Sequence, residues 1–189
     1  MNNFILSFVN AFYVKYIVSN IFKYTCTVLL LNLFYYYNFF IDLKNSMVLN
    51  CESLSDFTGL HYPDIINEIE LNYFIISYEL NYRFTLKIFV KREDLVISLN
   101  KIFKNSNWLE REVWDMFGIK FIFHTDLRRI LTDYGFQGFP LRKDFPLTGF
   151  CELRYDDELK SVFYDSLEFS QEFRFFDFQS PWNKSYFIK

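Results

Sequence analysis

Glu110, Arg111, Glu112 and Asp115 crowd one short segment, and His124-Thr125-Asp126 follows soon after. Paired carboxylates can exchange protons with a substrate. A His beside an Asp can serve as an oriented base or as half of a metal site. The spacing argues for less chemistry than the residue types suggest. Arg111 and Asp115 stand at i and i+4, where they would pair on a helix surface. The one other histidine, His61, lies in an unrelated segment. A turn or helix-start role for Asp126, with His124 packed at the loop entry, is the structural expectation. A free-standing soluble enzyme using His124 and Asp126 is the catalytic alternative.

The stretch beyond is a loop. Three of the five glycines and two of the four prolines fall between Gly135 and Gly149. A loop this long, with so much turn chemistry, usually carries function or docks on something. Gly135-Phe136-Gln137-Gly138 is not a phosphate loop, because no helix with Lys-Ser/Thr opens after it. Arg128, Arg129, Arg142 and Lys143 gather here. They are either a solvated or tail-paired surface, or a docking site for an acidic or carbonyl-rich protein surface, for which the planar fork of Arg is suited. Trp108, Trp114 and Trp182 are large apolar anchors for a core or an interface.

These residues need a scaffold. Phe4, Phe8, Phe12, Tyr16 and Ile17 predict a first helix over about residues 4–22. Thr25–Leu31 reads as a strand, residues 33–44 as a second helix and Val48–Phe57 as a strand, with a turn beginning at Tyr62-Pro63. Residues 72–90 alternate apolar and polar with period 2, which predicts two half-buried strands in a hairpin around Asn81. Leu95, Leu99, Ile102 and Phe103 predict the buried stripe of a helix. A further helix should start near Asn107, bury Leu109, Val113, Met116 and Phe117, and stop at Gly118 before a strand over Ile119–Phe123. After Leu131 the pattern dissolves, apart from a possible short strand near Cys151–Tyr155. These elements predict a two-layer core of helices and strands over residues 1–131, which the resemblance described below makes an α+β fold with helices on a mixed β-sheet, then a docking loop and extended C-terminal arm over 132–189.

Composition narrows the function classes. The 189 residues suffice for one domain with an arm. Net charge is −3, which argues against nucleic-acid binding. Aromatics make up 23%, and Phe, Tyr, Asn, Ile and Lys share A/T-rich codons, so an A/T-biased organelle genome is a reasonable source. Cys26, Cys51 and Cys151 are far apart and odd in number, which predicts buried reduced thiols rather than disulfides, zinc or iron–sulfur ligation. Tyr24–Ile41 has 18 uncharged residues, close to a membrane span. Its Asn and Thr content and mid-segment tyrosines favour a buried strand and helix. A membrane-tethered binding module using residues 24–41 is the second alternative.

The segments EREVWDMFGIKF, DLRRILTDYGFQGFPLRKDFPLTG, ELRYDDELK and QEFRFFDFQSPW closely resemble one family. It is the subunit 9 family of mitochondrial NADH:ubiquinone oxidoreductase, the 30 kDa subunit of respiratory complex I, which has an equivalent in the bacterial enzyme. The resemblance is strong over residues 107–182 and rests on element order before that. It implies an α+β fold and a non-catalytic structural and assembly subunit in the peripheral arm, on the matrix side of the mitochondrial inner membrane. It implies no cofactor in this chain, with FMN and iron–sulfur clusters in partner subunits. The implied partners are the quinone-site subunit and adjacent iron–sulfur subunits, with membrane association only through the complex. The chain is then expected to be mitochondrially encoded. On this view Arg128, Arg129, Tyr134, Arg142, Lys143 and Asp144 are polar docking candidates, and Phe145, Pro146 and Trp182 are apolar ones. Two departures stand out: Phe123 and Thr125 flank His124 where the family usually has Gly or Asn before and Pro after, and Phe139 stands where His is common.

Overall fold

The computed structural model describes residues 16–17, 25–30, 33–47, 49–63 and 68–176. Backbone contacts divide the chain into two units, Met1–Leu147 and Thr148–Lys189, so segment 132–147 belongs with the first.

The first unit is built on a five-stranded mixed sheet. Its strands are β1 (Tyr16–Ile17), β2 (Thr25–Leu30), β3 (Ser53–Tyr62), β4 (Glu68–Ser77) and β5 (Tyr82–Lys91), in the order β1-β2-β5-β4-β3. Within this sheet the β2–β5 pairing is parallel and the others are antiparallel. The alternation predicted over 72–90 is the β4–β5 hairpin. Tyr82, Phe84, Leu86, Ile88 and Val90 all point into the core. Asn81 turns the hairpin with φ of 49°, a value Asn tolerates better than most residues.

Helix α1 (Leu33–Asn45) covers this face with Tyr36, Phe39, Phe40 and Leu43, at the i, i+3, i+4, i+7 spacing of one stripe. The rings interlock rather than merely fill space. Tyr73 of β4 stacks on Phe57 with centroids 4.2 Å apart and meets Phe40 edge-on at 5.1 Å. Such ring pairs add about 0.5–1.5 kcal/mol each beyond burial. Helix α2 (Ser106–Phe117) packs against β3. It can approach closely because β3 has Gly59 there: a Cβ would sit 3.0 Å from the Phe117 ring. Short strands β6 (Leu95–Ile97) and β7 (Lys120–Ile122) flank α2 and pair in parallel. The second unit is described by a hairpin of β8 (Cys151–Asp156) and β9 (Ser161–Ser166) and the residues around it.

The α+β class is therefore observed, and the described residues of the uncharged segment 24–41 form β2 and the first part of α1. No helix among the described residues is long and apolar enough to cross a membrane. Several expectations are corrected. Of the predicted first helix, only Tyr16–Ile17 is described, and it is strand; the rest lies outside the described residues. The strand expected from Val48 begins instead at Ser53. The stripe Leu95, Leu99, Ile102, Phe103 is not one helix: Leu95–Ile97 is β6, and the others bury from the turns after it. Asn105 rather than Asn107 precedes α2, and its side chain donates to the Leu54 carbonyl instead of capping the helix. Cys151 is exposed, whereas Cys51 is buried, its thiol pushed up to about 12 by burial.

Candidate docking site: a loop clamped around helix α2

Helix α2 turns the ionisable cluster inward. Glu110, Arg111 and Asp115 are all buried, and only Glu112 is exposed. The expected Arg111–Asp115 surface pair is corrected. Arg111 lies over the Trp108 ring at 5.3 Å, and its Nε donates to the Arg128 carbonyl at 3.2 Å. Asp115 is occupied by the loop. Its Oδ2 accepts the backbone N–H groups of Ile130, Leu131 and Thr132 at 3.1, 2.7 and 2.9 Å, and its Oδ1 accepts the Thr132 hydroxyl at 2.6 Å. Burial alone would push this carboxyl up. The hydrogen bonds from Thr132, Leu131 and Ile130 outweigh that and hold it below the ordinary aspartate value.

The loop returns to close the other end of the helix. An α-helix leaves its last carbonyls without intrahelical partners. Gly118, at φ of 77°, ends α2 and donates to the Trp114 carbonyl at 2.9 Å. The Leu141 N–H donates to Met116 O at 3.2 Å, and Arg142 Nε donates to Phe117 O. Arg142 therefore caps α2, with its cation at the negative end of the helix dipole. Its guanidinium stacks on Phe139 at 4.3 Å. A Cβ on Gly118 would lie 2.5 Å from Arg142 Nη2 and 2.6 Å from the Phe139 ring, so only glycine admits this packing. Desolvation and the neighbouring Arg92 lower the Arg142 pKa, partly offset by Asp144.

Further bonds tie the loop to the sheet. Lys143 N–H donates to His61 Nδ1 at 3.0 Å, and Arg92 pairs with Asp144. His61 is nearly buried, and desolvation, together with Arg142, Arg92 and Lys143, lowers its pKa against the pull of Asp144. It therefore stays neutral, as its role as an acceptor requires. Arg129 donates to Gly138 O at 2.9 Å and lies over Phe139 at 4.9 Å.

At the loop entry, the His124 side chain is buried. Its Nδ1 accepts the Asp126 N–H at 3.0 Å, which leaves the proton on Nε2, 3.2 Å from Asn107 O. Glu110 lies alongside, its Oε2 3.8 Å from Nε2. The Glu110 carboxyl also takes the Ser98 hydroxyl at 2.5 Å and the Leu99 N–H at 2.7 Å. Burial pushes Glu110 up to about 7 despite these bonds. Asp126 pairs outward with Arg128 at 2.9 Å. Among the described residues, no three His, Cys, Asp or Glu side chains converge as a metal site.

Phe123 just before this cluster has φ of 63° although its side chain is 72% exposed. A bulky residue pays for that conformation, whereas Gly or Asn adopts it readily. Phe123→Gly should raise the unfolding free energy by up to about 1 kcal/mol. A lower melting temperature for the variant would show that the Phe side chain contributes packing this geometry does not explain.

The candidate docking residues thus divide. Arg129 and Arg142 are bound within the fold, and Asp144 is ion-paired within it. Phe145 and Pro146 are half-buried, with Phe145 against Phe136 at 5.8 Å. Tyr134 is 97% exposed, and Arg128 and Lys143 are also exposed. Trp182 lies outside the described residues. The structure adds Asp115, Glu110 and His61 as organisers of the loop.

A family profile described as respiratory-chain NADH dehydrogenase, 30 Kd subunit, matches residues 36–151, which spans β3 to β7 and the whole clamp. The chain belongs to that family. It is 49% identical to NADH-ubiquinone oxidoreductase subunit 9 of Acanthamoeba castellanii over 149 residues, covering 79% of this chain and 75% of that protein. It is 50% identical to NADH-ubiquinone oxidoreductase subunit 9 of Reclinomonas americana over 142 residues, covering 75% and 70%. The fold also matches a chain in the structure of an archaeal respiratory membrane complex, the membrane-bound sulfane sulfur reductase. The TM-score is 0.65 at 21% identity, covering 77% of this chain and 85% of that one. Family membership makes the chain a subunit of the respiratory NADH dehydrogenase complex.

The internal bonds of Arg142 change what its loss should do. Arg142→Ala should destabilise the purified chain by about 2 kcal/mol, from the lost carbonyl bond and ring packing, and Arg142→Lys should restore little because an ammonium lacks the planar stack. Unchanged thermal melting together with reduced assembly would instead make Arg142 an external anchor.

Proposed function

We propose that this chain is a non-catalytic structural and assembly subunit of the peripheral, matrix-side arm of proton-pumping NADH:ubiquinone oxidoreductase. In this reading it packs on the quinone-site subunit and neighbouring cluster-carrying subunits and reaches the inner membrane only through them. FMN and iron–sulfur clusters belong to the partners. The carrying observation is the family match across the clamped loop.

The geometry supports a positional role. The two groups with the most chemical character, Glu110 and His124, are buried and bonded to this chain's own backbone and side chains. Neither meets solvent where a substrate would arrive. The clamp instead holds a surface in place: Phe123, Arg128, Leu131, Tyr134 and Leu147 all stand exposed on it. Aromatic and arginine side chains on a rigid backbone suit an interface, since little entropy is lost on binding. The proposed docking region, residues 132–189, then comprises a clamped part up to Leu147 and an arm from Thr148 on.

The test is isolation of the native assembly in mild detergent through a C-terminal tag. Mass spectrometry and NADH:quinone reductase activity are read together. Quinone-site and cluster subunits should co-purify with activity. A lone chain, or turnover by the purified chain that His124→Ala abolishes, would favour the soluble-enzyme reading. Retention of the isolated chain in membranes after alkaline carbonate extraction would favour the tethered one.

A further inference from the structure

We propose that Glu110 and His124 form a buried proton-binding site that latches the entry of the loop. A proton on Glu110 holds the 124–126 turn closed, and its loss draws the imidazole away from Asp126.

The surroundings of Glu110 hold no fixed positive charge to balance it. Its carboxyl is buried, and among the described residues its one ion-pair partner is His124, with no Lys or Arg in reach. Tyr36 of α1 and Tyr73 of β4 face it with hydroxyls, and the Tyr36 hydroxyl donates to the Ile97 carbonyl instead. The segment after β6 offers the Ser98 hydroxyl and the Leu99 N–H, and α2 itself offers Ser106. Elsewhere on α2, Arg111 is engaged by Trp108 and the Arg128 carbonyl, and Asp115 by the loop amides. A carboxylate in such a place is relieved only by a proton or a charged donor. Burial pushes this one up to about 7.

With the proton on Glu110, the imidazole is satisfied where it stands. Nδ1 accepts the Asp126 N–H at 3.0 Å, and Nε2 lies 3.2 Å from the Asn107 carbonyl and 3.8 Å from Glu110 Oε2. Without that proton, two routes relieve the carboxylate. In the first, Nε2–H leaves Asn107 for Glu110. A charge-assisted N–H···O⁻ bond closes to about 2.7–2.9 Å, so the ring shifts by about 1 Å and carries Nδ1 with it. In the second, His124 takes up a proton and becomes imidazolium, whose Nδ1 donates and no longer accepts. Both routes break the same bond, the one from the Asp126 N–H. Asp126 is in turn ion-paired with Arg128, and both are exposed. The site thus couples a proton in the core to the placement of a charged pair on the surface.

NMR of the full-length chain tests this, following Glu110 Cδ and the Asp126 amide from about pH 5.5 to about 8.5. Glu110 Cδ should titrate near neutrality. The protection of the Asp126 amide against hydrogen exchange should fall several-fold with the same midpoint, while that of Thr132, held by Asp115, stays constant. Glu110→Gln should make Asp126 protection independent of pH. His124→Asn should do so while Glu110 still titrates, because Asn accepts the amide two residues on but has no second ring nitrogen to reach Glu110. A Glu110 carboxyl that keeps one protonation state throughout overturns the proposal. So does Asp126 protection that ignores the Glu110 midpoint, or that still falls with pH in His124→Asn. The wild-type titration alone decides the matter if either variant fails to fold.

Discussion

Replacing Asp115 with Ala is expected to release the loop between Phe123 and Leu147 and to destabilise the chain by about 3–5 kcal/mol. The size follows from what the carboxylate holds. Three backbone N–H groups and one hydroxyl converge on it, and its side chain is fully buried. Removing it leaves those donors without an acceptor in a site where water is a poor substitute. Asp115→Asn should be nearly as harmful, because its amide would present a donor to a ring of donors. Denaturant unfolding and limited proteolysis are the measurements, with new cleavage expected within residues 127–143. A variant that unfolds within about 1 kcal/mol of wild type with the loop still protected would sink the clamp. The pH dependence has a definite sign. The Asp115 pKa lies below its unfolded value of 3.8, so its stabilisation is present above that value and is lost as pH falls through the folded pKa.

The clamp also separates what this loop does for its own chain from what it offers to others. Arg129 and Arg142 point to a partner on composition alone, but their donors end on Gly138 and Phe117 carbonyls. On the proposed function their contribution to assembly is indirect: they fix the backbone from which the exposed Tyr134, Leu131 and Leu147 project. Conformational entropy is lost when the loop folds, before any partner arrives, and this preorganisation strengthens later contacts.

How far the sequence discloses this depends on whether a contact is local. The β4–β5 hairpin is legible because its side-chain alternation and its turn at Asn81 are both local. Helix α2 and its stop at Gly118 are legible for the same reason. The segment from Leu95 is misleading because its apolar spacing fits a helix, while Val96 instead finds Phe121 across a parallel pair some distance along the chain. Buried Asp115 is harder still. Its partners are backbone amides, which every residue carries, so no side-chain pattern announces them. The hairpin in the second unit is different. Cys151, Leu153, Tyr155 and then Val162, Tyr164 do alternate, but only over six residues each and among many other rings. The strand expected near Cys151–Tyr155 is observed as β8, whereas β9 goes unread, because so short a signal is easily overlooked in a chain with 23% aromatics.

Glu110→Gln should flatten the pH dependence of stability between pH 5 and 8, by about 2–3 kcal/mol relative to wild type. The carboxyl is pushed up to about 7 from an ordinary 4.5 because burial disfavours its charged form. For an acid whose folded pKa is raised, the folded state binds more protons between the two values. Wild-type stability from this group therefore falls as pH rises from about 4.5 and levels off above about 7. Gln keeps the geometry without the titration: its carbonyl can accept the Leu99 N–H, and its amide can donate to Ser98 Oγ, which already accepts from the Asn100 N–H at 3.1 Å. The variant should thus match wild type near pH 5 and exceed it at pH 8, where wild type must bury a charge. Urea unfolding of both proteins across this range decides the matter. Parallel pH profiles would mean that the Ser98 and Leu99 bonds, with His124 beside them, fully compensate the buried carboxylate. Glu110 would then be an ordinary ionised anchor for the β6–α2 turn, and any pH dependence shared by the two proteins would arise from another group.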